Sequence, residues 1–118
     1  VNPAEDLLAM HLTECNLSFE RQFRYAEGRK LRADFALPAY RLLIEVTGGI
    51  WGRKAHGSIK GVLADIDRLN EATRNDWRMF RFTPDMVESG QAIEMIADYT
   101  ARIDVRERWP LAEAALKR

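Results

Sequence analysis

Asp34 and Glu45 are the residues of this chain most able to do chemistry. They sit in 32–38, Arg-Ala-Asp-Phe-Ala-Leu-Pro, and 41–49, Arg-Leu-Leu-Ile-Glu-Val-Thr-Gly-Gly, two largely apolar runs joined by a short turn. A carboxylate set among apolar neighbours loses hydration, which disfavours its charged form unless something neutralises it. Two such acids on adjacent strands suggest a hard cation. Mg²⁺ takes a few carboxylate oxygens and keeps several waters, one of which can be activated as a nucleophile. That is chemistry suited to phosphodiester hydrolysis.

The elements that must bring the acids together can be read from patterning. Residues 42–46 are an apolar, branched run interrupted only by Glu45, as in a buried strand. Residues 31–37 form the strand before it, with Pro38-Ala39-Tyr40 as the turn. Side chains two apart share a face of a strand, so Arg32 lies with Asp34, and Leu43 with Glu45 and Thr47. Paired as a hairpin, the strands let the two acids converge.

Upstream, Asn2-Pro3-Ala4-Glu5 is a helix start, with Asn as N-cap, Pro in the first turn and Glu three residues after the cap. Leu7, Leu8, Met10 or His11, and Cys15 make its stripe, which places Cys15 in the core. His11 reads as structural. Residues 19–25 fit a first strand, and Glu27-Gly28 turns into the second. Residues 48–57 form a loop rich in glycine and basic residues, able to approach a phosphate closely. Ser58 caps a helix to about residue 75, with Ile59, Val62, Leu63, Ile66 and Leu69 as its buried face and Asn70 close beside it. Residues 77–82 are a fourth strand, Thr83 or Pro84 opens a helical turn to Glu88, and 91–105 form the last long helix.

These residues resemble the PD-(D/E)XK, or restriction-endonuclease-like, nucleases. Ala33-Asp34 stands where that superfamily has its Asp, and Glu45-Val46-Thr47 where it has (D/E)-X-K. Asp34-Phe35-Ala36-Leu37-Pro38, Ile44-Glu45-Val46-Thr47-Gly48-Gly49, His56, Asp65, Arg68-Leu69-Asn70-Glu71-Ala72 and Trp77-Arg78-Met79-Phe80-Arg81-Phe82-Thr83 look like a branch of small phage and bacterial endonucleases. That branch in turn is similar to very-short-patch-repair endonucleases, and the likeness covers roughly residues 5–96. It implies an α/β fold with a four-stranded mixed sheet flanked by helices, in the order α-β-β-β-α-β-α.

The resemblance also implies a site. Asp34, Glu45 and the backbone carbonyl of Val46 would hold Mg²⁺ or Mn²⁺, with Glu5 on the first helix as a further candidate ligand. Thr47 departs from the pattern, because it replaces the usual lysine and cannot carry positive charge to water or phosphate. His56 or Lys60 would take over that role, and Asp65 is either a supporting acid or a surface residue. Arg32, Trp51, Arg53 and Lys54 are the candidate nucleic-acid contacts, with Trp51 able to stack on a base or anchor its loop.

Composition bounds these expectations. At 118 residues the chain makes one domain, with a core over about 3–105 and a tail over 106–118. No apolar run approaches a membrane span. One cysteine and two separated histidines disfavour a disulfide framework and a zinc site, and suit a cytoplasmic protein. Net charge is zero, yet residues 20–60 hold nine basic residues against four acidic ones, so positive charge gathers around the acid pair as a DNA-binding face requires. The expected partner is DNA, and a homodimer is expected because one small site makes one nick. The rival expectation is a nuclease-derived module that binds DNA or protein without cutting. A metal-free acid/base hydrolase fits worst, since no sugar-binding aromatic platform accompanies the acids.

Overall fold

A computed structural model describes residues 2–48 and 58–108. In chain order the elements are α1 (Pro3–Glu14), β1 (Glu20–Arg24), β2 (Arg32–Leu37), β3 (Leu42–Val46), α2 (Ile59–Arg74), β4 (Arg78–Phe82), α3 (Pro84–Glu88) and α4 (Gln91–Arg108), with a short 3₁₀ turn at Pro38–Tyr40. The sheet order is β1-β2-β3-β4. The first three strands are antiparallel neighbours, and β4 returns parallel to β3 after the α2 crossover. This is the expected mixed α/β architecture, with the last helix continuing past residue 105 to Arg108.

Local chemistry sets the element ends. The Asn2 side chain accepts from the Glu5 amide at 3.3 Å, and its Nδ2 donates to Glu5 Oε2 at 2.7 Å, closing a reciprocal cap on α1. Ser58 Oγ accepts from the Gly61 amide at 3.0 Å, and Thr83 Oγ1 from the Met86 amide at 3.2 Å, so α2 and α3 begin where their hydroxyl caps stand. Thr100 turns its hydroxyl back to the Ile96 carbonyl at 3.0 Å, which allows a polar residue into the buried face of α4.

Alternation in the strands divides two environments. Phe35 and Leu37 of β2, with Leu42, Ile44 and Val46 of β3, join Leu8, Leu12, Val87 and Ile96 in the main core. The opposite face carries Ala36 and Leu43, which pack in a second cluster with Ala33, Tyr25, Ala26, Ala72 and Trp77. Asp34 and Glu45 fall on this second side by the two-residue period of their strands.

Two sequence expectations are corrected here. The apolar stripe of α2 faces outward, with Ile59 81%, Leu63 60% and Ile66 50% exposed. Ala72 is the buried residue of the helix, and Gly61, Asp65 and Arg68 are half-buried on the same side at helical spacing. The helix therefore meets the sheet through a small and charged face, and Asn70 solves its hydrogen bonding by being exposed. Cys15 is also exposed, because the buried positions of α1 are Ala4, Leu8 and Leu12 and Cys15 lies past them at the C-cap.

The two sides of this packing separate by mutation. Leu8 has no exposed surface, and Leu8→Ala is expected to cost about 2–5 kcal/mol in urea unfolding. Ile66→Ala on the outer face of α2 is expected to change stability by less than about 0.5 kcal/mol. A loss at Ile66 comparable to that at Leu8 would contradict the outward orientation.

Candidate active site

The antiparallel pairing of β2 with β3 runs from Leu37↔Leu42 to Phe35↔Ile44. One step further along that register Asp34 stands opposite Glu45, but there the ladder stops. Asp34 Oδ2 instead accepts the Val46 amide at 2.8 Å, a side chain taking the place of a strand carbonyl. The strands thus fork at the two acids, and a cleft of about 180 Å³ opens between Asp34, Glu45, Val46, Thr47, Gly48, Asp65 and Arg81.

Glu45 is held from two directions. Arg68 of α2 bonds Glu45 Oε2 and also donates to the Arg32 carbonyl at 2.6 Å. Arg81, the residue level with Glu45 in the parallel β3–β4 register, brings Nε to 3.2 Å from Glu45 Oε1 and Nη1 to 3.7 Å from Asp65. Its approach to Glu45 is electrostatic. Neither Nε nor the buried Nη2 makes an aligned hydrogen bond among the described residues.

Of the residues singled out from sequence, Asp34, Glu45, Val46 and Thr47 meet in this cleft. Thr47 is fixed there by its amide, which donates to the Phe82 carbonyl at 2.8 Å. Asp65 lines the cleft too. Glu5 lies beside it, close enough for the Asp34 charge to act on it, and its Oε1 is 3.8 Å from Arg21. Lys60 is exposed in the first turn of α2 and lines no part of the cleft, and the Arg32 side chain is likewise exposed outside it. Trp51, Arg53, Lys54 and His56 lie outside the described residues.

Arg68 and Arg81, both at Glu45, are residues to which sequence reasoning assigns no role. A signal exists for each. Arg81 sits at the strand position that a parallel return beside Glu45 makes its neighbour, and Arg68 follows Asp65 by three residues on one helical face.

With the geometry in view, comparison with solved structures returns a nuclease domain. The chain is similar in fold to the homing endonuclease I-Bth0305I catalytic domain. The TM-score is 0.67 at 18% sequence identity, covering 86% of this chain and 97% of that one. At that identity the likeness is one of fold. No protein-family model matches the sequence. No curated protein matches it either.

Burial, and then the nearby Asp34 carboxylate, push the Glu5 carboxyl above its ordinary range, while Arg21 and Asn2 pull it partly back. The folded chain therefore binds the Glu5 proton more tightly than the unfolded chain. From this group, stability falls as pH rises from the ordinary carboxylate value through the raised one. Glu5→Gln keeps the cap and removes the charge. It is expected to raise the Tm of metal-free protein near neutral pH and to lose that advantage near about pH 3.5, below the ordinary range. Thermal unfolding at both pH values checks this, and an equal gain at both would refute it.

Proposed function

We propose that the chain is a metal-dependent endonuclease of PD-(D/E)XK type that hydrolyses DNA phosphodiester bonds with water as the nucleophile. The observation that carries this reading is the fork itself. Two carboxylates from adjacent strands open into one cleft, on a fold similar to that of a homing endonuclease catalytic domain.

The donors fit a hard divalent cation. Asp34, Glu45 and the Val46 carbonyl are oxygen donors of the kind that suits Mg²⁺ or Mn²⁺. Asp34 Oδ1 has no hydrogen-bond partner among the described residues. No group of three His, Cys, Asp or Glu side chains suited to a metal occurs among those residues, but Mg²⁺ keeps several of its waters and is commonly held by one or two carboxylates. When bound, such an ion lowers the pKa of water and offsets phosphate charge.

The chain's own residues supply the rest. Asp34 holds the Val46 backbone in place by its bond to the amide. Arg81 and Arg68 bring fixed positive charge to Glu45 where the family's lysine is absent. His56, which lies outside the described residues, remains the candidate to carry a proton, and Glu5 a candidate further ligand. Cutting both strands of a duplex calls for two such clefts, so a homodimer belongs to this reading. The exposed free thiol of Cys15 suits a reducing, cytoplasmic setting.

A second reading is favoured by one observation. Glu45 is engaged by two guanidiniums, and Thr47 replaces the lysine, as in a nuclease-derived module that binds without cutting. Supercoiled plasmid incubated with Mg²⁺, Mn²⁺ or chelator separates the two. The nuclease reading expects metal-dependent nicking, reduced roughly a thousandfold or more in Asp34→Ala and Glu45→Ala, the rate equivalent of several kcal/mol. His56→Ala is expected to fall between those variants and the wild type. Absence of nicking on plasmid, mismatched and branched duplexes, with binding retained, would establish the module instead.

A further inference from the structure

A second and larger cleft, about 600 Å³, lies against the turn that joins β1 to β2, with Arg41, Asn75 and Trp77 on its other side. The Phe23 ring meets Trp77 with centroids 5.2 Å apart. The first strand thus touches the residue that precedes the last. Gln22, in the middle of β1 at φ 51°, is where the strand departs from extended geometry. The volume falls within the range of ligand-binding clefts.

Four cations border the cleft, Arg24, Arg29, Lys30 and Arg41, against one acid, Glu27. Arg29 is committed to Asp67, at 2.7 Å, and to Glu71. The other three have no carboxylate partner among the described residues. Arg24 and Lys30 are exposed. Arg41 donates to the Asn75 and Asp76 carbonyls at the end of α2, and its guanidinium stacks 4.0 Å from the Trp77 ring centroid. Its charge is oriented without being neutralised. By contrast Arg21, Arg68, Arg74, Arg81 and Arg102 each meet an acid. In a chain of zero net charge, three uncompensated cations around one concavity form a local positive field.

We propose that this cleft is a second DNA-binding site, holding the sugar–phosphate backbone away from the bond to be cut. The proposal rests on the reading of the chain as a DNA-cutting enzyme. Cations take the phosphates, and the half-buried Phe23 ring presents apolar area to the sugar, while Trp77 is buried and holds the Arg41 guanidinium. Arg41 immediately precedes β3 and lies four residues before Glu45, roughly 13 Å in extended chain. At the 3.4 Å axial rise of one DNA strand, that is about four nucleotides from the acid fork.

Anisotropy of a labelled short duplex, and of the same single strand, titrated in chelator across a salt series tests the site without cutting. Arg24→Ala/Lys30→Ala is expected to weaken binding at least about tenfold and to reduce the salt slope by about 1.8, near 0.9 for each of the two phosphates no longer neutralised. Arg24→Lys/Lys30→Arg is expected to retain both. An unchanged dissociation constant and slope in the alanine variant would overturn the proposal, as would failure of the wild type to bind either probe. Binding that shows these losses in a protein that never nicks plasmid upholds this site and sinks the nuclease reading, whereas nicking with an unaffected slope does the reverse.

Discussion

At the end of the β2–β3 pairing the Val46 amide is bound by the Asp34 carboxylate and not by a strand carbonyl. Much of the site depends on that substitution. An antiparallel ladder carried one residue further would hold Asp34 and Glu45 against each other on one face with no space between them for a ligand. The side chain satisfies the amide instead, so the strands can part without leaving a buried donor unpaired. The parting makes the cleft. Its walls stay rigid because Leu42, Ile44 and Val46 remain anchored in the main core on the other face of the same strand.

The same economy explains the unusual face of α2. A helix with a strong apolar stripe would ordinarily bury it, yet here the sheet beneath offers small residues and charges. Ala36 and Leu43 share a cluster with Ala72 of the helix, and Asp65 and Arg68 are half-buried on the same side of it. Arg29 reaches Asp67 and Glu71 from the β1–β2 turn, while Arg68 and Arg81 reach Glu45. Partly buried ion pairs gain little net stability over apolar packing, but removing one partner leaves a charge stranded. What they provide is position, and the charges that dock the helix also surround Glu45. Two guanidiniums, delivered from β4 and α2, thus stand at Glu45.

Most of the fold was legible because its signals are local. Asn2, Pro3 and Glu5 mark a helix start by chemistry confined to one turn, and Ser58 and Thr83 do the same for α2 and α3. The bounds of β3 follow from an apolar run between two breaks in pattern. The acid pair was legible for the same reason, since one short turn separates its strands. The inward face of α2 was not. Periodicity shows that a helix has two unlike faces, while the choice between them depends on partners far away in sequence, Arg29, Glu45 and Arg81. Arg81 became part of the site only once β4 was known to lie parallel to β3 in register. Cys15 was misplaced by a smaller error, a stripe extended past the last full turn of its helix.

The charge distribution ties the two clefts together. Asp34, Glu45 and Asp65 line the fork, with Glu5 beside it under the influence of Asp34. Left to themselves, so many acids repel a phosphate, and at Glu5 the Asp34 charge adds to burial in pushing the carboxyl up. Arg68 and Arg81 offset part of this field, but both are already drawn to Glu45. A polyanion approaching this surface thus meets little attraction at the fork. It meets more at the cleft bordered by Arg24, Lys30 and Arg41, where the cations have no acidic partner among the described residues. In the proposed nuclease, attraction at a distance from the acids, with a cation at the fork itself, would let carboxylates serve chemistry that their own charge otherwise opposes.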